Sequence, residues 1–387
     1  MNLLNSFSFE LPTKIEYGVG AASGLADMIK SLNATNVLVI TDKGVISSGL
    51  LERIAGPLEA QHLKWQVFDR VEPNPKDYNV QEGTEIASRF DPHCLVAIGG
   101  GSPIDCAKAI AVVARQGGAV RDYEGPNKIG SDVLPLIAIP TTAGTGSEVT
   151  FSSVITDSSE KFKFSIKDPR IAPKVALVDP EMTLTMPPEL TASTGMDALT
   201  HAIEGFTANA SEPIADSAAL YAVELITTHL RTAVSDGNNL KARAAMLLGS
   251  VLAGIAFSHS DVGAVHCVAE ALGGKYDAPH GVCNAVVLPA VMAYNMEYCK
   301  ERYARIAAAM GRADKNVDRA ARQAVRAVEK LASDVHLPEF NTLGVQEKDL
   351  EELAANSFKN GSNIDNPRPM TKEDYLNLFQ ILRCHLS

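Results

Sequence analysis

From the start of the chain to about Thr183, short runs of β-branched and aliphatic residues alternate with amphipathic stretches of helical period. That alternation predicts parallel strands joined by crossover helices. Val37 to Ile40, Leu95 to Ile98 and Pro135 to Ile139 are three such strands, each followed by polar or glycine-rich residues. After Pro187 and Pro188 the texture changes to long segments rich in Ala, Leu and Glu, with Gly and Pro confined to breaks, and strand-like runs nearly vanish. The pattern predicts an α/β domain with a parallel sheet over residues 1–183 and an all-α domain over residues 184–387. A chain of 387 residues suits two cores of roughly 100–200 residues each. No internal repeat or low-complexity tract interrupts either half.

Composition narrows the classes. Apolar residues make up 46% and charged residues 21%, and apolar runs such as Gly281 to Ala293 are broken by Asn284 and Pro289 well short of a membrane span. The first ten residues carry no basic segment and no cleavage-type site. These features predict a soluble, cytoplasmic protein with no membrane partner. A formal charge of −11, with no Lys/Arg run, speaks against nucleic acid as a partner. The six cysteines are scattered, with no CxxC pair, as expected of reduced thiols. Cys267 adjoins a candidate ligand, but neighbouring helix positions point about 100° apart and a packing role is expected of it.

Two loops at strand ends carry candidate chemistry. Gly99, Gly100, Gly101 and Ser102 join a buried strand to a helix expected over Cys106 to Arg115. The glycines let the main chain turn and approach a ligand, Ser102 suits an N-cap, Pro103 the first helical position, and Asp105 would close an S-x-x-D capping box. A helix N-terminus with free amides suits a pyrophosphate, although a ligand-free tight turn would use the same residues, and the run is not the G-x-G-x-x-G fingerprint. A second loop, Thr141 to Glu148, concentrates hydroxyls and glycines after another buried strand. Two such loops at the carboxyl ends of parallel strands point to a nucleotide. Asp42, just past the first strand, would accept from a ribose 2′-hydroxyl and repel a 2′-phosphate, which favours NAD over NADP.

The helical half holds a second constellation. Asp197 and His201 lie four apart on one helical face and could grip one cation, although D-x-x-x-H also serves as an ordinary hydrogen-bonded pair. His266 sits in an apolar helical stretch that Gly273 and Gly274 are expected to end, and His280 begins the next apolar helix. A carboxylate and three imidazoles on consecutive helical segments suit Zn²⁺ or Fe²⁺.

These residues and their surroundings resemble the iron-containing (group III) alcohol dehydrogenases, a family that includes lactaldehyde reductases, propanediol dehydrogenases and NAD-dependent methanol dehydrogenases. The resemblance runs through Phe9 to Gly18, Gly99 to Asp105, Pro140 to Glu148, Gly195 to Glu204, Pro279 to Gly281 and Asn366 to Pro369. It implies a dehydroquinate-synthase-like fold. It also implies metal ligands Asp197, His201, His266 and His280, and a cofactor held by Asp42, Asn74, Gly99, Gly100, Gly101, Ser102, Thr141, Thr142, Thr145 and Lys163. Without the resemblance, Lys163 reads as a solvated hairpin lysine. The implied reaction is hydride transfer between a small primary alcohol or diol and NAD, with the metal as Lewis acid on the alcohol oxygen, in a homo-oligomer, by resemblance a dimer.

The sequence departs from the family pattern at Glu270, where members commonly carry a histidine one turn after His266, and at His259 and Asp261, where relatives often show Asn and Gly. Glu270 is a candidate proton relay. A non-redox relative of the dehydroquinate synthase kind would require a basic cleft, and Lys and Arg do not cluster around the four ligands. A transhydrogenase would turn over with no added NAD, and a protein that had lost catalysis would bind neither metal nor NAD.

Overall fold

The apolar runs near the start of the chain are continuous because their strands are covered on both faces. Val37, Val39, Val96, Ile98, Ile137 and Ile139 belong to one buried cluster, and the alternate residues Leu38, Ile40, Leu95, Ala97, Leu136 and Ala138 to another. The computed structural model describes residues 6–384. Leu11–Met186 form one unit, and the described residues 187–384 form a second, to which residues 6–10 also belong.

In the first unit, strands β1 (Lys14–Tyr17), β2 (Asn36–Ile40), β3 (Lys64–Phe68), β4 (Cys94–Gly99), β5 (Gly125–Pro126), β6 (Leu136–Pro140), β7 (Ser152–Asp157), β8 (Phe162–Lys167) and β9 (Val175–Val178) alternate with helices α1 (Leu25–Ser31), α2 (Lys43–Ser47), α3 (Leu50–Ala60), α4 (Asp77–Phe90) and α5 (Gly101–Gln116). Six strands form a parallel sheet in the order β1-β9-β6-β4-β2-β3. Gly99 pairs with Pro140 at the end of the β4–β6 ladder, so the register sets the two polar loops side by side. A smaller sheet, β5-β8-β7, carries the hairpin of β7 and β8.

The second unit is helical: α6 (Pro188–Thr207), α7 (Pro213–Ser235), α8 (Leu240–Ser260), α9 (Ala264–Tyr276), α10 (His280–Ala309), α11 (Val317–Asp334), α12 (Leu350–Lys359) and α13 (Lys372–Cys384). α6 packs against α7, α8 and α10 and is buried from Thr191 almost without interruption to Thr207. By length and a mean hydropathy of 1.5, α8 could cross a membrane, which the reading of apolar runs did not single out. Its apolar residues Leu247, Val251, Ala253 and Ala256 are buried within the helical unit.

Two expectations about helix ends are corrected. α5 starts at Gly101 with Gly100 as its N-cap and no side-chain cap, so no Ser102–Asp105 capping box forms. Asp105 instead accepts from the Ser147 hydroxyl at 2.5 Å and the Val154 N–H at 2.9 Å. α9 runs through Gly273 and Gly274 to Tyr276. Its last turn is held from outside, by Lys275 paired with Glu352 at 2.6 Å and Tyr276 donating to Asp349 at 2.7 Å, and it ends where Asp277 turns left-handed at φ 52°.

Asp105 belongs to a buried network that joins the two loops. Lys108, wholly buried on α5, donates to Ser147 Oγ at 3.0 Å, Thr150 Oγ1 at 2.8 Å and the Ser152 carbonyl at 2.7 Å. Burial pulls the Lys108 ammonium down to about 8 against the pull of Asp105 and Glu148. Burial likewise pushes the Glu148 carboxyl up to about 7, with Lys108 acting the other way. Glu148 Oε1 has no hydrogen-bond partner among the described residues.

A carboxyl whose folded pKa is raised binds more protons in the native state, so its contribution to stability falls as pH rises from the ordinary carboxylate range to about 7. Glu148→Gln removes that loss. Urea unfolding at several pH values should show the variant gaining on the wild type between pH 4.5 and 7, by at most on the order of 3 kcal/mol. A constant difference across that window would show that Glu148 does not titrate there.

Candidate metal centre

A carboxylate on a buried helix is costly unless charge or hydrogen bonds meet it. Asp197 stands in that position on α6, 2% exposed, and three imidazoles meet it: His201 one turn further on, His266 from the first turn of α9, and His280 as the first residue of α10. One ligand atom from each lies within 4.8 Å of all the others. His280 Nε2 is 3.8 Å from Asp197 Oδ1, and His201 Nδ1 is 4.0 Å from Oδ2. The His201 and His266 rings lie 4.5 Å apart by centroid, and Phe257 stacks on His201 at 4.4 Å. Asp197, His201 and His266 are buried, whereas the His280 side chain is 26% exposed, so the cluster opens at His280.

Burial alone would raise the Asp197 pKa, but His201, His280 and His266, with a hydrogen bond from Asn284, more than offset it and hold the carboxyl below its ordinary value. The donor set fits a divalent cation. One hard carboxylate oxygen and three imidazole nitrogens are the ligands zinc and ferrous iron accept, and donors around such a four-coordinate ion lie roughly 3.3 Å apart. The Asp197–His280 and Asp197–His201 spacings of 3.8 and 4.0 Å would close by under about 1 Å around such an ion.

Two further residues belong to this cluster and were not read from the sequence as site residues. Asn284, one turn after His280 and fully buried, donates to Asp197 Oδ1 at 2.6 Å and lies 3.1 Å from His266 Nε2 and 3.2 Å from His280 Nε2. Glu204, one turn after His201, meets His266 Nδ1 at 2.6 Å. Their signal was polar residues at one-turn spacing from ligands on otherwise apolar helix faces. Glu270 is half-buried and accepts from Asn360 Nδ2 at 2.5 Å. Cys267 is buried and is not among the grouped ligands. His259 stacks on Phe9 at 4.1 Å, with its ring nitrogens 2.8 Å from the Ile255 and Glu10 carbonyls. Asp261 caps α8 at φ 61° and accepts from Ser362 Oγ at 2.7 Å. Both departures therefore serve as anchors for neighbouring segments.

In the first unit, the two polar loops touch. A Cβ added at Gly100 would meet Thr142 Oγ1 at 3.0 Å, and one at Gly101 would meet Thr145 Cγ2 at 2.6 Å. Ser102 lies in the first turn of α5, and Thr141 directly follows β6. Asp42 caps α2 and accepts from the Val45 N–H at 2.9 Å. Lys163 is buried on β8, where its ammonium donates to Asn74 Oδ1 at 2.7 Å; the solvated-lysine alternative is thereby set aside.

A parallel-sheet unit with paired glycine and threonine loops, and a helical unit with a carboxylate–trihistidine cluster, suit an enzyme that uses a nucleotide and a divalent cation. Comparison with known proteins narrows the class. The family model described as iron-containing alcohol dehydrogenase matches residues 12–180, and that described as the C-terminal part of the Fe-containing alcohol dehydrogenase family matches residues 191–382. The chain is 40% identical to the 1,3-propanediol dehydrogenase of Citrobacter freundii, over 97% of this chain and 98% of that one. It is 39% identical to the NAD-dependent methanol dehydrogenase of Bacillus methanolicus, over 96% and 99%. The crystal structure of a 1,3-propanediol oxidoreductase superposes with a TM-score of 0.95 at 38% identity, over 98% of this chain and all of that one. The chain belongs to the iron-containing alcohol dehydrogenase family. It is an oxidoreductase of alcohols and aldehydes with a dehydroquinate-synthase-like fold.

Gly281 shows why the Pro279-His-Gly281 run matters to the cluster. A Cβ there would stand 2.5 Å from the Ser193 carbonyl oxygen and 3.3 Å from Asp197 Cβ, so this glycine allows α10 to lie against α6. Gly281→Ala should cost about 1–3 kcal/mol of stability as overpacking and loosen the His280–Asp197 pair. Thermal unfolding together with a Zn²⁺ titration checks both. Unchanged metal affinity in a destabilised variant would show that the close approach serves packing alone.

Proposed function

We propose that this chain catalyses NAD-linked interconversion of a small primary alcohol or diol and its aldehyde, with Fe²⁺ or Zn²⁺ held by Asp197, His201, His266 and His280. The carrying observation is the convergence of one carboxylate and three imidazoles in a cluster buried on all residues except His280. When bound, the cation polarises the alcohol or aldehyde oxygen as a Lewis acid, and the nicotinamide takes or gives the hydride. The chain's own residues bind and orient. The partly exposed edge at His280 is where a substrate oxygen would enter, and the buried remainder excludes water.

For the cofactor, the α5 N-terminus formed by Gly99, Gly100, Gly101 and Ser102 offers main-chain amides to the pyrophosphate. Thr141, Thr142 and Thr145 offer hydroxyls from the adjoining loop, and Asn74 with Lys163 a second polar pair. Asp42, held at the end of β2 by its capping bond, would accept from the adenosine ribose and disfavour a 2′-phosphate. On this reading the NAD-binding domain lies within residues 1–183 and the metal-binding domain spans 184–387, the described residues up to Glu10 grouping with the helical unit. A net charge of −11 and six free cysteines support a cytoplasmic enzyme, here taken as a homodimer without nucleic-acid or membrane partners.

The test is an activity screen over short primary alcohols, diols and aldehydes, with NAD and NADP in parallel, using protein reconstituted separately with Fe²⁺ and Zn²⁺. Activity should appear with NAD and depend on metal. His280→Ala should lose bound metal and at least about 1,000-fold in kcat/KM, the scale of one major electrostatic contribution to catalysis. Full activity in metal-free His280→Ala protein would sink the assignment.

Glu270 is proposed as a proton relay between the substrate oxygen and solvent, on its position one turn after His266 and its partial exposure. Glu270→Gln keeps the shape and removes the basic oxygen. Its kcat/KM for alcohol oxidation should fall most at low pH, where proton removal is hardest. A pH profile overlaying that of the wild type, with metal still bound, would make Glu270 only the partner of Asn360.

A further inference from the structure

The helix that carries His266 lacks a cap of its own. The residue before α9 is Gly263, which offers no side chain to the free N–H groups of the first turn. Those groups are met from elsewhere in the helical unit. Asn366 Oδ1 accepts from Ala264 N–H at 3.2 Å, and Glu204 Oε1 accepts from Val265 N–H at 2.8 Å. A Cβ at Gly263 would meet both acceptors at 3.0 Å, so the glycine makes room for the two side chains that replace a local cap. The second oxygen of Glu204 lies 2.6 Å from His266 Nδ1, in a contact where both side chains are about 95% buried.

Glu204 thus accepts through both oxygens at once: Oε1 takes a backbone N–H and Oε2 takes the imidazole N–H. That requires the His266 ring proton on Nδ1. The far side of the ring is compatible with this, because the Asn284 amide nitrogen, a donor shared among Asp197, His266 and His280, lies 3.1 Å from Nε2, where an unprotonated ring nitrogen accepts. We propose that Glu204 is a positioning residue that selects this tautomer, so that His266 faces the cluster with an unprotonated Nε2, and that it ties the choice to the start of α9. The proposal rests on the reading of the cluster as a metal site. Carboxylates that hold the distal nitrogen of a metal-binding histidine commonly contribute 10–100-fold to metal affinity.

Glu204→Gln is the discriminating change, because an amide has one accepting atom and one donating group. If its oxygen stays on Val265 N–H, its NH₂ faces His266 Nδ1, and the ring proton must move to Nε2, inside the cluster. If the amide turns over, His266 keeps its tautomer but two donors meet at Val265. Neither orientation serves both partners. The shorter Glu204→Asp retains two accepting oxygens and should recover part of the function.

Two measurements read the outcome without enzyme activity. In metal-free protein with ¹⁵N-labelled histidine, two-bond ¹H–¹⁵N correlations assign the tautomer of each ring, with His266→Gln identifying the His266 signals. At a pH where the ring is neutral, the wild type should show His266 protonated on Nδ1 only, and Glu204→Gln should show the Nε2–H form. Titration with Co²⁺, followed by its visible absorption, should give a Kd 10–100-fold weaker in Glu204→Gln and intermediate in Glu204→Asp. A neutral wild-type His266 ring protonated on Nε2 would overturn the proposal. So would a folded Glu204→Gln protein whose thermal stability falls while its Co²⁺ affinity stays at the wild-type level, since that is the signature of a cap alone. If the wild type itself binds no Co²⁺, the metal-site reading fails, and the tautomer measurement still decides whether Glu204 sets the ring. Should Glu204→Gln fail to fold, the wild-type tautomer and the Glu204→Asp affinity decide.

Discussion

A carboxylate on a helix with almost no solvent exposure imposes conditions on everything around it. Asp197 is 2% exposed, and an uncompensated charge there would cost several kcal/mol. The compensation comes from three helices: His201 one turn along α6, His266 from α9, and His280 with Asn284 from α10. Each is useful only if its helix approaches to within a few ångströms. The packing of α6 and α10 and the seating of α9 are therefore conditions for keeping Asp197 charged. Small residues grant the approach, as at Gly281, which rides on the Ser193 carbonyl, and at Gly263, where Glu204 and Asn366 take the space of a side chain.

The same economy of parts appears in the α/β unit, with hydroxyls and glycines in place of imidazoles. The β4–β6 register places Gly99 beside Pro140, and Gly100 and Gly101 then seat the threonines of the neighbouring loop. Beneath them, Asp105 and Lys108 on α5 bind Ser147, Thr150, Ser152 and Val154. One helix thus offers its N-terminus upward to the loops and its buried charged pair sideways to hold them. In both units a buried charge fixes the geometry of a polar surface, because a desolvated ion tolerates little displacement of its partners.

The NPRP segment illustrates how a motif and its reason can lie far apart. Asn366 accepts from Ala264 N–H, exchanges two hydrogen bonds with Asn295 at 2.9 Å each, and donates to the Arg368 carbonyl. Arg368 in turn lies 3.8 Å from the Tyr294 ring centroid and donates to the Tyr294 carbonyl. A segment near the end of the chain thereby joins the start of α9 to the middle of α10, the two helices that bring His266 and His280 to the cluster.

Much of this was legible in the sequence, because periodicity and strand-end chemistry are local. Runs such as Val37 to Ile40 and Leu95 to Ile98 are strands by composition, a glycine run after a buried strand is a loop by conformational necessity, and D-x-x-x-H places two side chains on one helical face whatever surrounds them. Local rules also misled where a distant partner outcompeted a near one. Asp105 left its expected capping box because Ser147 and Val154 offered better bonds, and α9 ran through two glycines because Asp349 and Glu352 held its last turn. The burial of Lys163 against Asn74, the caps lent to α9 by Glu204 and Asn366, and the convergence of His266 and His280 on Asp197 were decided by tertiary structure alone. Each depends on groups between 61 and 102 positions apart in the chain or on separate helices meeting at one point, and no local spacing encodes a distance of that kind.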